Sequence, residues 1–169
     1  MKKSTNKLVL LSLFAAAALV LSYIESLLPP LYPAVPGIKP GIANIAVLVC
    51  LYIFSAKEAL VVSLIRIFVS SLLFGNVISM IYSLVGALLS LAVMMSIKKT
   101  NLFSAVGVSV TGAVFHNLGQ VLTAIVLLEN IRIGYYMIVL SFTGILAGVL
   151  TGMAGGLVIK YLNKAIKGR

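Results

Sequence analysis

Apolar residues in this chain fill long continuous blocks, and the polar and charged residues are gathered between them. Blocks near 20 residues predict membrane-spanning helices, because about 20 apolar residues cross the hydrocarbon core of a bilayer. Six such stretches follow in order, over residues 8–28, 42–54, 59–74, 77–97, 102–128 and 135–162, in one integral membrane domain covering 1–169. The second is short. The first follows Lys2, Lys3 and Lys7 as a signal peptide would, but it runs on to Leu28 with no small-residue cleavage site before a polar mature chain. We read it as an uncleaved first span. The predicted class is all-α, a polytopic membrane bundle of six transmembrane helices.

Between the first two blocks, Val35 to Asn44 reads VPGIKPGIAN. Two prolines and two glycines rule out a regular helix. The stretch is expected to be a bent connection that launches a new helix near Ile42, with Asn44 one turn inside. Irregular backbone at a membrane helix mouth needs water, protein or a ligand against it. We therefore expect a lid over a small-molecule pocket, formed by Tyr32, Pro36, Gly37, Pro40 and Gly41, with Lys39 and Asn44 facing the ligand.

Composition agrees with the pattern: the chain is 62% hydrophobic and only 9% charged, far outside the soluble range. A net charge of +10 raises nucleic acid as a partner, but the cations form no patch interleaved with aromatics on a soluble domain, so nucleic acid is excluded. The partner read from composition is the lipid bilayer. Lys2, Lys3, Lys7, Lys57, Lys98, Lys99, Lys160, Lys164, Lys167 and Arg169 fall on the face that carries both termini, whereas Lys39 and Arg132 fall opposite. That bias predicts cytoplasmic termini and an external Lys39 loop.

Small residues mark helix contacts. Gly144, Gly148, Gly152 and Gly156 recur every four residues and predict a close-packing stripe on the last helix, directed either within the chain or toward another subunit. Ser12, Ala15, Ala16 and Ala18 form a smaller patch on the first.

Polar residues inside the blocks need a reason. Arg66 stands mid-block, and a cation there costs roughly 2.5–3.5 kcal/mol on the lenient insertion scale. Two readings stay open: a structural contact with Glu25, near the outer end of the first span, or with carbonyls; or a contact with an anionic or carbonyl-bearing ligand. His116 and Gln120 share a helical face, with Asn117 one step round. They are either polar glue between helices or groups that orient a ligand.

Absences narrow the classes further. There is no phosphate-binding Gly-x-x-x-x-Gly-Lys loop, no Asp, and only three scattered glutamates, Glu25, Glu58 and Glu129. Magnesium-diphosphate chemistry needs clustered carboxylates, and a single His with one Cys, Cys50, makes no metal site. We expect no enzyme activity, no cofactor and no metal.

Three ordered motifs, GIKPGIAN at 37–44, AKEALVVSLIRIFVSSLLFG at 56–75 and GAVFHNLGQ at 112–120, resemble the Gx transporter family, also called heptaprenyl diphosphate synthase component I. Pro40 departs from the family's usual Leu. The family is similar to the substrate-binding S components of energy-coupling factor transporters. That resemblance implies a six-helix S-component-like bundle in a prokaryotic cell membrane, importing a small vitamin-like or quinone- or isoprenoid-related precursor. It also implies a membrane coupling subunit and ATPase subunits as partners, docked through the first helix's Ser12, Ala15, Ala16 and Ala18. The family's second label implies the alternative, a non-catalytic membrane companion of a prenyl diphosphate synthase subunit in quinone side-chain synthesis.

Overall fold

The computed structural model describes residues 2–28 and 41–167, with side chains from 5 to 165 within those ranges. Tyr32, Pro36, Gly37, Lys39 and Pro40, expected in the lid and at the ligand, lie outside the described residues. The rest is helical: α1 (Lys2–Leu27), α2 (Asn44–Ile53), α3 (Ala56–Phe74), α4 (Val77–Thr100), α5 (Ala105–Leu127), a 3-10 turn (Ile131–Tyr135) and α6 (Tyr136–Lys167).

Local sequence sets where these helices begin. The Ser55 hydroxyl accepts the Lys57 N–H at the start of α3. Asn76 and Ser79 form a reciprocal capping box that starts α4. Ser104 caps α5 through the Gly107 N–H, and Asn130 accepts the Arg132 N–H to open the 3-10 turn. Each side chain satisfies a backbone donor that the first helical turn leaves unpaired. At the other end of α4, Asn101 adopts the left-handed conformation, φ 54°, which asparagine tolerates better than most residues.

Among the described residues, four helices are long and apolar enough to cross a membrane: Thr5–Leu27, Val77–Thr100, Ala105–Leu127 and Ile131–Ala165. The molecule is a helical membrane bundle. α3 is long enough but carries Lys57, Glu58 and Arg66, and α2 has only 10 residues. At 1.5 Å per residue α2 rises about 15 Å, half of a hydrocarbon core of about 30 Å.

α2, α3, α4, α5 and α6 pack in a closed circuit in which α2 meets both α3 and α6, and α1 lies outside against α2 and α3. α2 is the inner helix. Ala46 to Leu51 are all buried, as expected of a helix that is apolar on every side. Ala46, Val47, Leu48, Cys50 and Leu51 meet Ala18 of α1, Ala59 and Val62 of α3, Leu91 and Met94 of α4 and Val108 of α5 in one core cluster. Ala18, 0% exposed there, is thereby removed from any outward docking face, because α2 and α3 cover it. Ser12 and Ala16 remain exposed, and Ala15 is half-buried.

In lipid, helices gain little from hiding apolar surface against each other, so close van der Waals contact has to hold them together. The glycines of α6 supply that contact inside the chain. A Cβ on Gly148 would stand 2.6 Å from the Val110 Cα, and one on Gly152 would stand 2.7 Å from the Val106 Cα. α5 thus lies directly on the stripe. Gly156 is looser, its Cβ position 4.0 Å from the Ala105 methyl. α4 and α5 touch through Gly86 and Gly119, where a Cβ on Gly119 would be 2.8 Å from the Gly86 Cα. The Ser109 and Thr151 hydroxyls add a buried hydrogen bond of 2.9 Å between α5 and α6.

One end of the bundle is strongly basic. There Lys7 of α1 pairs with Glu58 of α3, which also accepts from Ser55, and Lys98 of α4 donates to the Leu51 carbonyl at the end of α2. The Lys7 hydrogen bond, followed by that of Ser55, holds the Glu58 carboxyl down at about 2 from an ordinary 4.5. A carboxylate lowered in the folded state adds stability that is fully present above its unfolded value and is withdrawn as pH falls through the folded one.

Two outcomes follow from this packing. Gly148→Val is expected to cost about 1–3 kcal/mol by overpacking, whereas Gly156→Ala should be near neutral; thermal unfolding of the detergent-solubilised variants measures both. Acidification of the wild type between about pH 5 and pH 2 should withdraw the Glu58 contribution, and in Lys7→Met that slope should flatten.

Candidate ligand site at the start of α2

The centre of the bundle is built around the place where α2 begins. Gly41 is buried with φ +82°, a conformation open to glycine without strain, and it turns the chain into Ile42 and Ala43. Ala43 has no side chain that can cap, and none does. The first N–H groups of the helix bond to the carbonyls of Gly41, Ile42 and Ala43, and other helices add side-chain contacts to the turn. The Glu25 carboxylate of α1 accepts the Ile42 N–H, and Arg66 Nη2 of α3 donates to the Asn44 Oδ1 at 3.1 Å. Glu25 and Arg66 are 4% and 3% exposed, and the Glu25 charge acts on the guanidinium.

α5 closes the other side. His116 lies against Gly41 and Gly86, its Cδ2 3.6 Å from the position a Gly41 Cβ would take and its Cε1 3.1 Å from that of Gly86. Gln120, one turn along, has its Cγ 3.1 Å from the same Gly86 position and is 0% exposed. Only a glycine at 86 leaves room for both side chains. Three helices and a turn therefore converge: Glu25, Gly41 to Asn44, Arg66, and His116 with Gln120.

Several buried polar atoms here have no protein partner: Arg66 Nε, His116 Nδ1, both amide atoms of Gln120, and the Ser22 hydroxyl one turn before Glu25. A buried unsatisfied group costs about 1–3 kcal/mol. Of these, Arg66 and His116 adjoin the start of α2, and buried atoms left unpaired there call for a bond from water or another molecule. A narrow crevice starts at the same point, bordered by Gly41, Asn44, Ser90, Ser109 and Thr151; it has room for about one water. A larger surface cleft of about 400 Å³ lies at the α5–α6 turn beside Asn130, Arg132, Tyr135 and Tyr136. Asn130, Arg132 and Tyr135 are solvent-facing, so that cleft lacks the cost that singles out the centre.

Asn117, expected beside His116 and Gln120 at the ligand, points away from this cluster. Its amide donates to the Leu140 carbonyl of α6 at 2.8 Å, beside Gly144, because one residue past His116 turns a side chain about 100° round the helix. Asn117 is polar glue between α5 and α6. Glu25, expected only as a possible partner of Arg66, stands inside the cluster. Gly86 is not among the expected site residues; the sequence marks it only as one of the small residues Ser79, Ser83, Gly86, Ala87 and Ser90 on its helix. Among the described residues no three His, Cys, Asp or Glu side chains are grouped to hold a metal.

This arrangement defines a helical membrane protein with a charged polar centre formed around a half-length helix. The chain belongs to the heptaprenyl diphosphate synthase component I family, whose sequence model matches residues 14–158, a range that includes every group of the cluster. No curated protein and no solved structure matches the chain.

Two substitutions separate a waiting site from a structural one. Gln120→Leu is expected to leave thermal stability unchanged or to raise it by about 1–2 kcal/mol, since it removes two orphaned polar atoms. Asn117→Ala should lower stability by about 1–3 kcal/mol through the lost bond to Leu140. A comparable loss in both variants would mean that Gln120 is paired in the protein.

Proposed function

We propose that the chain is a non-catalytic membrane subunit that captures a small polar precursor at the start of α2 and serves a heptaprenyl diphosphate synthase. The observation that carries the capture is the set of orphaned groups on Arg66, His116 and Gln120, which are fixed by packing and lack partners. The family description supports the synthase as partner. The absence of chemistry in this subunit is supported by its carboxylates, which stand apart: Glu25 in the centre, Glu58 bound to Lys7 at the basic end, and Glu129 on the exposed α5–α6 turn. They hold no pair of metals for diphosphate ionisation.

In this reading the chain crosses the cell membrane six times with cytoplasmic termini. The basic end faces the cytoplasm by the distribution of lysines, α2 reaches only from that side to mid-membrane, and the site opens outward. A second reading, the substrate-capture subunit of an energy-coupling factor importer, is favoured by one observation. α1 lies outside the circuit of the other helices and keeps Ser12 and Ala16 exposed, a narrow small-residue face on which a coupling subunit would pack.

Affinity purification of the tagged chain from mild detergent, followed by native mass spectrometry, tests both readings. The synthase subunit should co-elute, and a small-molecule adduct should be present in the wild type and absent from Arg66→Met. Recovery of a coupling subunit and ATPases in place of the synthase would transfer the assignment to the second reading. Recovery of neither, with no adduct, would overturn both.

A further inference from the structure

We infer that the start of α2, Arg66 and His116 form an anion site of carboxylate or phosphate size, and that Glu25 occupies it as a resident stand-in until the acidic group of a ligand takes its place. The inference rests on the capture reading above and adds the chemical class of the ligand.

A helix N-terminus carries a partial positive charge, and α2, of 10 residues, has no side-chain cap; its first N–H groups, on Asn44, Ile45 and Ala46, bond to the carbonyls of Gly41, Ile42 and Ala43, which leaves the Ile42 N–H of the preceding turn to a side chain. A main-chain donor there, the Ile42 N–H, points at a carboxylate, that of Glu25. The second, independent observation is Arg66. It is 3% exposed, aimed at the first residue of α2 through Nη2, and has its Nε free of any partner. His116, 2% exposed and with Nδ1 unpartnered, stands beside Gly41 at the same terminus. A main-chain donor and a guanidinium, with an imidazole packed against the adjoining turn, are recurring elements of carboxylate and phosphate recognition.

Glu25 differs from these groups in how it is held. Arg66, His116 and Gly41 belong to the inner circuit or its turn, whereas Glu25 comes from α1, the helix outside that circuit, and lies two residues from its end at Leu27. A carboxylate on a peripheral helix end is the member of the set that an incoming anion displaces with least disturbance of the core. The acidic group of the ligand would then accept from the Ile42 N–H and lie beside Arg66.

The test is chemical rescue in the purified full-length protein. Glu25→Ala opens the position, and Glu25→Gln keeps the shape while removing the charge. Glu25→Ala is expected to unfold at least about 4 °C below wild type. Sodium formate at tens of millimolar should restore half or more of that loss, relative to sodium chloride at equal ionic strength. It should do nothing for wild type, for Glu25→Gln or for Glu25→Ala combined with Arg66→Met. Inorganic phosphate run in parallel separates a carboxylate-sized site from one that also takes a phosphate. If Glu25→Ala fails to fold without additives, purification in formate should recover it and chloride should not. Equal effects of formate and chloride, or equal rescue of the double variant, would overturn the anion site. Rescue without any retained molecule in the native spectrum would keep the site and remove the capture reading.

Discussion

The bond from the Arg66 guanidinium to Asn44 joins a buried cation to the first turn of a helix that stops halfway along the bundle. The placing of the start of α2 depends on it. A guanidinium among apolar helices has to be neutralised or bonded, and a helix that begins inside the bundle has donors that must be satisfied without water. The Asn44 side-chain oxygen takes a bond from the guanidinium, and the carbonyls of Gly41, Ile42 and Ala43 take the first N–H groups of the helix. Glu25 completes the arrangement by accepting from the Ile42 N–H and placing a negative charge near the guanidinium.

Close helix contact makes this centre possible. The Gly86–Gly119 crossing draws α4 and α5 together until His116 and Gln120 lie over the Gly86 backbone. The Gly144, Gly148 and Gly152 stripe draws α6 onto α5. α2 is enclosed by its neighbours from Ala46 to Leu51, and the Gly41 and Ala43 turn before it is buried as well. The packed helices hold Arg66, His116 and Gln120 in place, and their unpartnered buried atoms carry an energetic cost.

Much of the fold was legible in the blocks of the sequence, since apolar runs and their lengths follow local rules, whereas the caps at Ser55, Asn76 and Ser104 emerged only with the structure. The shortness of the second block already announced the half-length helix, and Arg66, His116 and Gln120 stood out because polar groups within apolar runs are costly. The direction of each side chain was harder to read. An apolar helix with lipid on one side and protein on the other shows no strong periodicity, so nothing in the pattern told that Asn117 faces α6 or that Ala18 faces inward. Glu25 was placed by sequence distance near a helix end, and only the buried turn from Gly41 to Asn44 brings the two together. Gly86 matters for what it lacks, a side chain under the imidazole, which a sequence displays only as one more small residue.

The most direct test of the central claim is a double-mutant cycle on Arg66 and Asn44, with Arg66→Met, Asn44→Ala and the combination compared with wild type by reversible unfolding in detergent. A hydrogen bond to a buried charge should appear as a coupling of about 1.5–3 kcal/mol. Additive losses, agreeing within about 0.5 kcal/mol, would show that the guanidinium does not hold the start of α2 and would contradict the account.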